Sequence, residues 1–147
     1  MSPAAITGGC QCGRVRYTLA RLPERSHICH CRMCQKAVGG PFAALASVPN
    51  ADIAWTGVEL SWYASSNLAE RPFCAHCGTP LGFRYVGGTR TNITLGSLDD
   101  PEVAPPLIQY GTESRLEWFK SCEALPGEAT DLGRLPPLES FQGKERR

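Results

Sequence analysis

A chain of 147 residues has the length of one ordinary domain. Fifteen Lys+Arg against 14 Asp+Glu leave a formal charge of +1, which argues against a nucleic-acid partner, and no apolar run approaches the roughly 20 residues of a membrane span. Forty-two per cent apolar residues are enough for a core, while 12 prolines and 15 glycines point away from a helical bundle toward a loop-rich, mainly β fold with little helix. Residues 1–9 hold neither a basic nor an apolar leader region, so a cytoplasmic protein is expected.

In chain order, the first feature is Cys10-Gln11-Cys12-Gly13, a tight cysteine pair. Residues 14–19 then alternate, with Val15, Tyr17 and Leu19 on one side, as a half-buried strand does. Next comes Cys29-His30-Cys31-Arg32-Met33-Cys34, from which the one convincing helical turn, residues 32–38, runs to Gly39-Gly40-Pro41. An apolar run at residues 42–48 lies between Pro41 and Pro49, and residues 59–63 alternate again. Cys74-Ala75-His76-Cys77-Gly78 reads as a metal-binding knuckle, with Gly78 expected at positive φ so that backbone N–H groups can turn toward the sulfurs. Residues 81–85, 89–95 and 107–112 complete a set of about seven strands. From residue 126 the composition turns to Pro, Gly, Glu and Arg. The expected organisation is therefore a single domain over residues 1–125 and a flexible tail over residues 126–147.

Eight cysteines in a chain without a leader need an explanation other than disulfides. The first seven read C-x-C, sixteen residues, C-x-C-x2-C, thirty-nine residues, C-x2-C. Gaps of one and two let sulfurs converge on a metal and strain S–S geometry. Zinc is the default ion, and seven sulfurs divide into four plus three. Each outer pair is half a tetrahedron, whereas the middle cluster forms a tripod alone. Cys10, Cys12, Cys74 and Cys77 are thus expected around one closed, structural zinc. Cys29, Cys31 and Cys34 are expected around a second zinc with an open position for substrate.

A rival assignment completes the second site with Cys122 or His30. His30 lies between two ligands and is expected to point away from the metal, as an exposed or outer-sphere imidazole like His76; Cys122 reads as a buried, inert thiol. His27, Arg32 and Lys36 are candidate substrate contacts, each weighed against an ordinary surface role. Asp99, Asp100 and Glu70 are candidate bases only because they are acidic, and turn or cap roles are commoner for such residues.

The runs Gly9-Cys10-Gln11-Cys12-Gly13, Cys29-His30-Cys31-Arg32-Met33-Cys34-Gln35-Lys36, Gly39-Gly40-Pro41-Phe42, Phe73-Cys74-Ala75-His76-Cys77-Gly78-Thr79-Pro80-Leu81 and Asn92-Ile93-Thr94-Leu95-Gly96-Ser97-Leu98-Asp99-Asp100 resemble, in that order, the glutathione-dependent formaldehyde-activating enzymes. The resemblance covers about residues 8–120. It implies a zinc-stabilised β-tent (Mss-four-like) fold with one structural and one catalytic zinc, on the same cysteines as above. It also implies carbon–sulfur lyase activity, the reversible formation of S-hydroxymethylglutathione from glutathione and formaldehyde. The centromere protein V family shares the domain, so the alternative is a non-catalytic structural or binding module. A trithiolate zinc suits either direction of the lyase reaction, because it is a weak Lewis acid toward water and a good host for a fourth sulfur.

Overall fold

The computed structural model describes residues 5–143; the first four residues and the terminal Lys144-Glu145-Arg146-Arg147 run lie outside it. Ten strands follow in chain order: β1 (Ile6–Gly9), β2 (Val15–Leu19), β3 (Arg25–Cys29), β4 (Ala43–Pro49), β5 (Ile53–Gly57), β6 (Ser61–Ala64), β7 (Ala69–Phe73), β8 (Gly82–Tyr85), β9 (Arg90–Thr94) and β10 (Ile108–Tyr110). One α-helix, α1 (Arg32–Val38), lies between β3 and β4; short 3-10 turns make up the remaining helical structure of the described residues.

The strands form two sheets. The first has the order β1-β2-β5 and the second the order β10-β3-β4-β9-β8-β7-β6. Every pairing is antiparallel except that of β10 with β3. Strand β2 behaves as its alternation predicts: Val15, Tyr17 and Leu19 are buried while Arg16 and Thr18 face outward. Tyr17 and Leu19 pack with Ala46, Val48, Ile93 and Leu95, so the core is the seam between the two sheets. Each fully buried aliphatic side chain there contributes about 1.5–3 kcal/mol. Tyr17 also meets Trp55 edge-on at 5.2 Å and shares a 2.8 Å hydrogen bond between its hydroxyl and Ser97 Oγ, which satisfies its one buried polar atom.

The described residues form ten strands against the seven or so expected, and the four that no expected range covers, β1, β3, β5 and β7, have local reasons for being hard to see. β1 ends in two glycines, and a side chain at Gly8 would meet the Tyr17 ring at 2.3 Å. β3 and β5 are short and do not alternate cleanly in burial. β7 contains Pro72, which has no N–H for a ladder. Its pairing with β8 accordingly stops at Ala69 and Glu70, and Pro72 contributes only its carbonyl, accepting from Leu81 N–H at 2.9 Å. The region from residue 126 to 143 carries no strand. It nevertheless returns to the first cysteine pair, where Gly143 N–H donates to Gln11 O at 2.7 Å.

Candidate metal centres

The β1–β2 turn presents Cys10 and Cys12, and the turn after β7 presents Cys74 and Cys77. The four Sγ atoms lie within 4.8 Å of one another. A tetrahedral ion with metal–sulfur bonds of about 2.3 Å, as zinc has, spaces its sulfurs about 3.8 Å apart. The Cys10–Cys12 and Cys12–Cys74 separations are 3.5 and 3.9 Å, so the donors are already at ligand spacing and well beyond a disulfide bond.

Surrounding groups hold these sulfurs in place. Val15 N–H donates to Cys10 Sγ at 3.2 Å, and Thr79 Oγ1 lies 3.1 Å from Cys77 Sγ while accepting from Gln11 N–H at 3.0 Å. Gly78 has φ +76°, as expected, and its N–H closes the knuckle onto Cys74 O at 2.8 Å. Val15 and Leu81 bury the cluster, and Leu138, Phe141 and Gln142 lie along a shallow cleft beside Cys12 and Cys77. Burial, followed by the neighbouring thiols, pushes the metal-free Cys12 thiol up to about 12. Cys77 is also raised by burial, but the Thr79 hydroxyl and nearby backbone N–H groups outweigh that and hold it at about 6.

The second cluster is local. Cys29 ends β3, Cys31 caps α1 and Cys34 lies in the first turn of that helix, with all three Sγ atoms within 4.8 Å of one another. Cys34 N–H donates to Cys31 Sγ at 3.4 Å, so the helix cap and the metal donor are one sulfur. Among the described residues, no fourth Cys, His, Asp or Glu joins this trio at that distance. The donor sets therefore fit two thiophilic ions, one able to be saturated by the chain and the other left a ligand short.

The loop carrying the trio is clamped from two sides. Buried Gln35 donates through Nε2 to His30 O at 2.7 Å and Ser114 O at 3.1 Å, and its Oε1 accepts from Arg32. His30 N–H donates to Tyr110 O at 2.9 Å. Beyond it Gly111, at φ +63°, presses so close that a Cβ would lie 2.7 Å from Cys31 N.

His30 and Cys122 are found in other surroundings than expected, whereas His76 is exposed as expected. His30 does not join the trio of sulfurs, in keeping with the expectation, but it is not exposed. It is 0 % exposed, wedged between Phe42 and Phe119, with Nε2 bonded to Gln109 Oε1 at 2.7 Å; apolar ring packing has drawn it inward. Cys122 is half-buried rather than buried, because its 3-10 turn lies at the surface, where Sγ donates to Trp118 O at 3.6 Å. His27 packs on Tyr110 at 5.2 Å and burial lowers its pKa.

A cleft of about 630 Å³ runs along α1; none of the three cysteines lines it, but Arg71, which does, reaches Cys34. Arg32, Met33, Lys36 and Val38 of α1 line one wall, and Arg71, Pro72 and Phe73 of β7 line the other. Arg32 and Lys36 are thus brought together on the cleft, and His27 is not among its lining residues. Arg71 is a residue that sequence reasoning missed: it donates through Nη2 to Cys34 Sγ at 3.7 Å. The signal available was a cationic residue in an otherwise buried strand, three positions before Cys74. The acidic candidates serve elsewhere, as their usual roles suggest. Asp99 pairs with Arg16 and Thr7, Asp100 caps a 3-10 turn at Glu102 N–H, and Glu70 pairs with Arg84.

Comparison with known proteins agrees with this layout. A crystal structure of a Rhodobacter sphaeroides protein superposes with a TM-score of 0.54 at 19% identity, covering 70% of this chain and 98% of that one, which shows a common fold. An uncharacterized lyase of Schizosaccharomyces pombe (strain 972 / ATCC 24843) is 32% identical over 81 residues, 55% of this chain; the match spans 58% of the length of that relative. The family model for the glutathione-dependent formaldehyde-activating enzyme matches residues 5–114. A chain that carries this match across both cysteine clusters belongs to the glutathione-dependent formaldehyde-activating enzyme family.

Proposed function

We infer that this protein is a zinc-dependent carbon–sulfur lyase that joins a glutathione-like thiol to a small aldehyde, formaldehyde first among them, or releases it. The observation that carries the reading is the unequal division of sulfur, four donors in one cluster and three in the other, whose helix lines a cleft. Family membership and the lyase name of the yeast relative support the reaction class. On this reading Cys10, Cys12, Cys74 and Cys77 hold a structural zinc, Cys29, Cys31 and Cys34 hold the second, and the working unit is the single domain of residues 1–125. Zinc in the three-cysteine centre would supply a Lewis-acidic position that keeps a substrate sulfur deprotonated near neutral pH.

The chain's own residues do the rest. Gln35 and the Tyr110–Gly111 segment hold the loop rigid, so the open position faces a constant direction. Arg32 and Lys36 bring positive charge to the cleft for substrate carboxylates, while Met33, Val38, Leu45 and Phe73 give it apolar walls that favour a small carbonyl over water. In the synthetic direction the sulfur lone pair forms the C–S bond and the carbonyl π pair moves to oxygen. The thiol proton ends on that oxygen as the hydroxyl. In reverse the C–S pair returns to sulfur.

Metal analysis with ligand substitution tests the reading. Two zincs per chain are expected, and Cys31→Ser is expected to lose one while keeping its fold. Cobalt-loaded protein is then expected to change its sulfur-to-metal absorption when glutathione is added, and with formaldehyde present to form S-hydroxymethylglutathione. A response to other thiols but not to glutathione would keep the lyase class and remove this substrate. No response to any thiol would overturn the enzyme reading in favour of a non-catalytic zinc module.

A further inference from the structure

Strand β7 carries two neighbouring charges with different fates. Glu70 pairs with Arg84, Nε to Oε1 at 2.6 Å, and the Arg84 guanidinium lies 3.7 Å from the centre of the Trp62 ring. Arg71, on the other face of the strand, is only 9 % exposed and enters none of the ion pairs of the described residues. Its guanidinium rests against the Phe83 ring at 5.0 Å, donates to Cys34 Sγ at 3.7 Å and lines the cleft. A guanidinium keeps its charge in a protein, and burying one without an opposite charge is costly. Among the described residues, the group that its side chain donates to is Cys34 Sγ, a donor of the three-cysteine centre. Three thiolates around a divalent ion carry a net charge of −1, and a fourth thiolate would make it −2. A neutral ligand entering the same position would not change the balance.

We propose that Arg71 is a positioning residue that sets the ligand class of the three-cysteine centre: it balances the charge of Cys34 and of an entering thiolate, so the cleft selects anionic sulfur over neutral donors. This rests on the open-site reading above. It differs from the work of Arg32 and Lys36, whose exposed charges suit a distal carboxylate. Arg71 acts at the sulfur end, so its effect extends to thiols that have no carboxylate at all.

The test uses the full chain loaded with cobalt, titrated with 2-mercaptoethanol, which has no carboxylate, and separately with imidazole, a neutral donor. Arg71→Met is expected to keep its far-ultraviolet circular dichroism and two metals but to bind 2-mercaptoethanol about tenfold more weakly or worse, the loss of one charge-assisted contact, with imidazole binding little changed. Arg71→Lys is expected to recover most of the thiol affinity. If the methionine variant cannot hold its second metal, the lysine variant decides: restored metal and thiol binding supports the proposal, and a lysine variant as deficient as methionine overturns it. Equal 2-mercaptoethanol affinity in wild type and Arg71→Met overturns it alone, as does an equal loss of imidazole binding, which would mark a packing role. A wild-type protein blind to every thiol overturns both this proposal and the function on which it rests.

Discussion

Cys10, Cys12, Cys74 and Cys77 reach one another from two turns, Cys12 and Cys74 being 62 positions apart, whereas Cys29, Cys31 and Cys34 fall within six consecutive residues. The first cluster joins the three-stranded sheet to the β7–β8 turn of the larger one, is packed by Val15 and Leu81, and has the C-terminal segment alongside. The second hangs on one strand end and the cap of a helix that lines a cleft with cationic and apolar walls. On the proposed reading, the contrast separates two uses of the same atom. Sulfurs that close a long loop contribute to folding, because the unfolded chain must forfeit that closure. Sulfurs contributed by one short segment close almost no loop, so they can be left a ligand short at little cost to the fold.

The largest expected effect falls on that contrast. Cys77→Ser should abolish the cooperative thermal melt, since structural zinc contributes on the order of 10 kcal/mol of binding energy to a folded site. Cys31→Ser should lose one metal and keep the melt. If calorimetry finds the two variants equally unfolded, the division of labour is wrong. A chelator should act in two phases, the three-cysteine centre emptying first without loss of near-ultraviolet circular dichroism; a single phase tracking unfolding would contradict it.

A smaller effect is expected at the clamp. Gly111→Ala puts a Cβ 2.7 Å from Cys31 N at positive φ, for a cost of about 1–3 kcal/mol. Metal retention should fall at the three-cysteine centre and not at the other, as read by metal analysis after dialysis. The smallest effect concerns the Arg16–Asp99 pair on β2. The Arg16 guanidinium, then the Thr7 hydroxyl, hold the Asp99 carboxyl below its ordinary value. A depressed carboxylate pKa contributes stability that is present above the unfolded value near 3.8 and is lost as pH falls through the folded value. Both side chains are more than a third exposed, so Asp99→Asn should cost less than about 1 kcal/mol. Denaturation at pH 6 and pH 8 should give the same deficit; a deficit that grows between them would implicate another group.

Much of the candidate site was legible because cysteine is sparing and its gaps carry meaning. The 4 + 3 grouping, the positive φ of Gly78 and the helix over residues 32–38 all follow from short-range rules of metal geometry, turns and caps. Strands with clear alternation, such as β2, were legible for the same reason. β7 was not, because a proline and two charges mask a segment that pairs through only part of its length. The burial of His30 was misjudged because its neighbours in sequence are cysteines while its neighbours in space are Phe42 and Phe119.

Residue order alone kept the sulfurs of each close pair and of the trio together, because the chain between them is too short to separate them. Bringing the two outer pairs to one point across 62 positions took the fold. Which groups would face those sulfurs was left to the fold. Arg71 reaches Cys34 across 37 positions, and Gly111 reaches Cys31 because β10 lies parallel to β3 at the sheet edge. Such contacts depend on strand register and sheet order, which arise from burying the whole core and have no counterpart in any local run of residues.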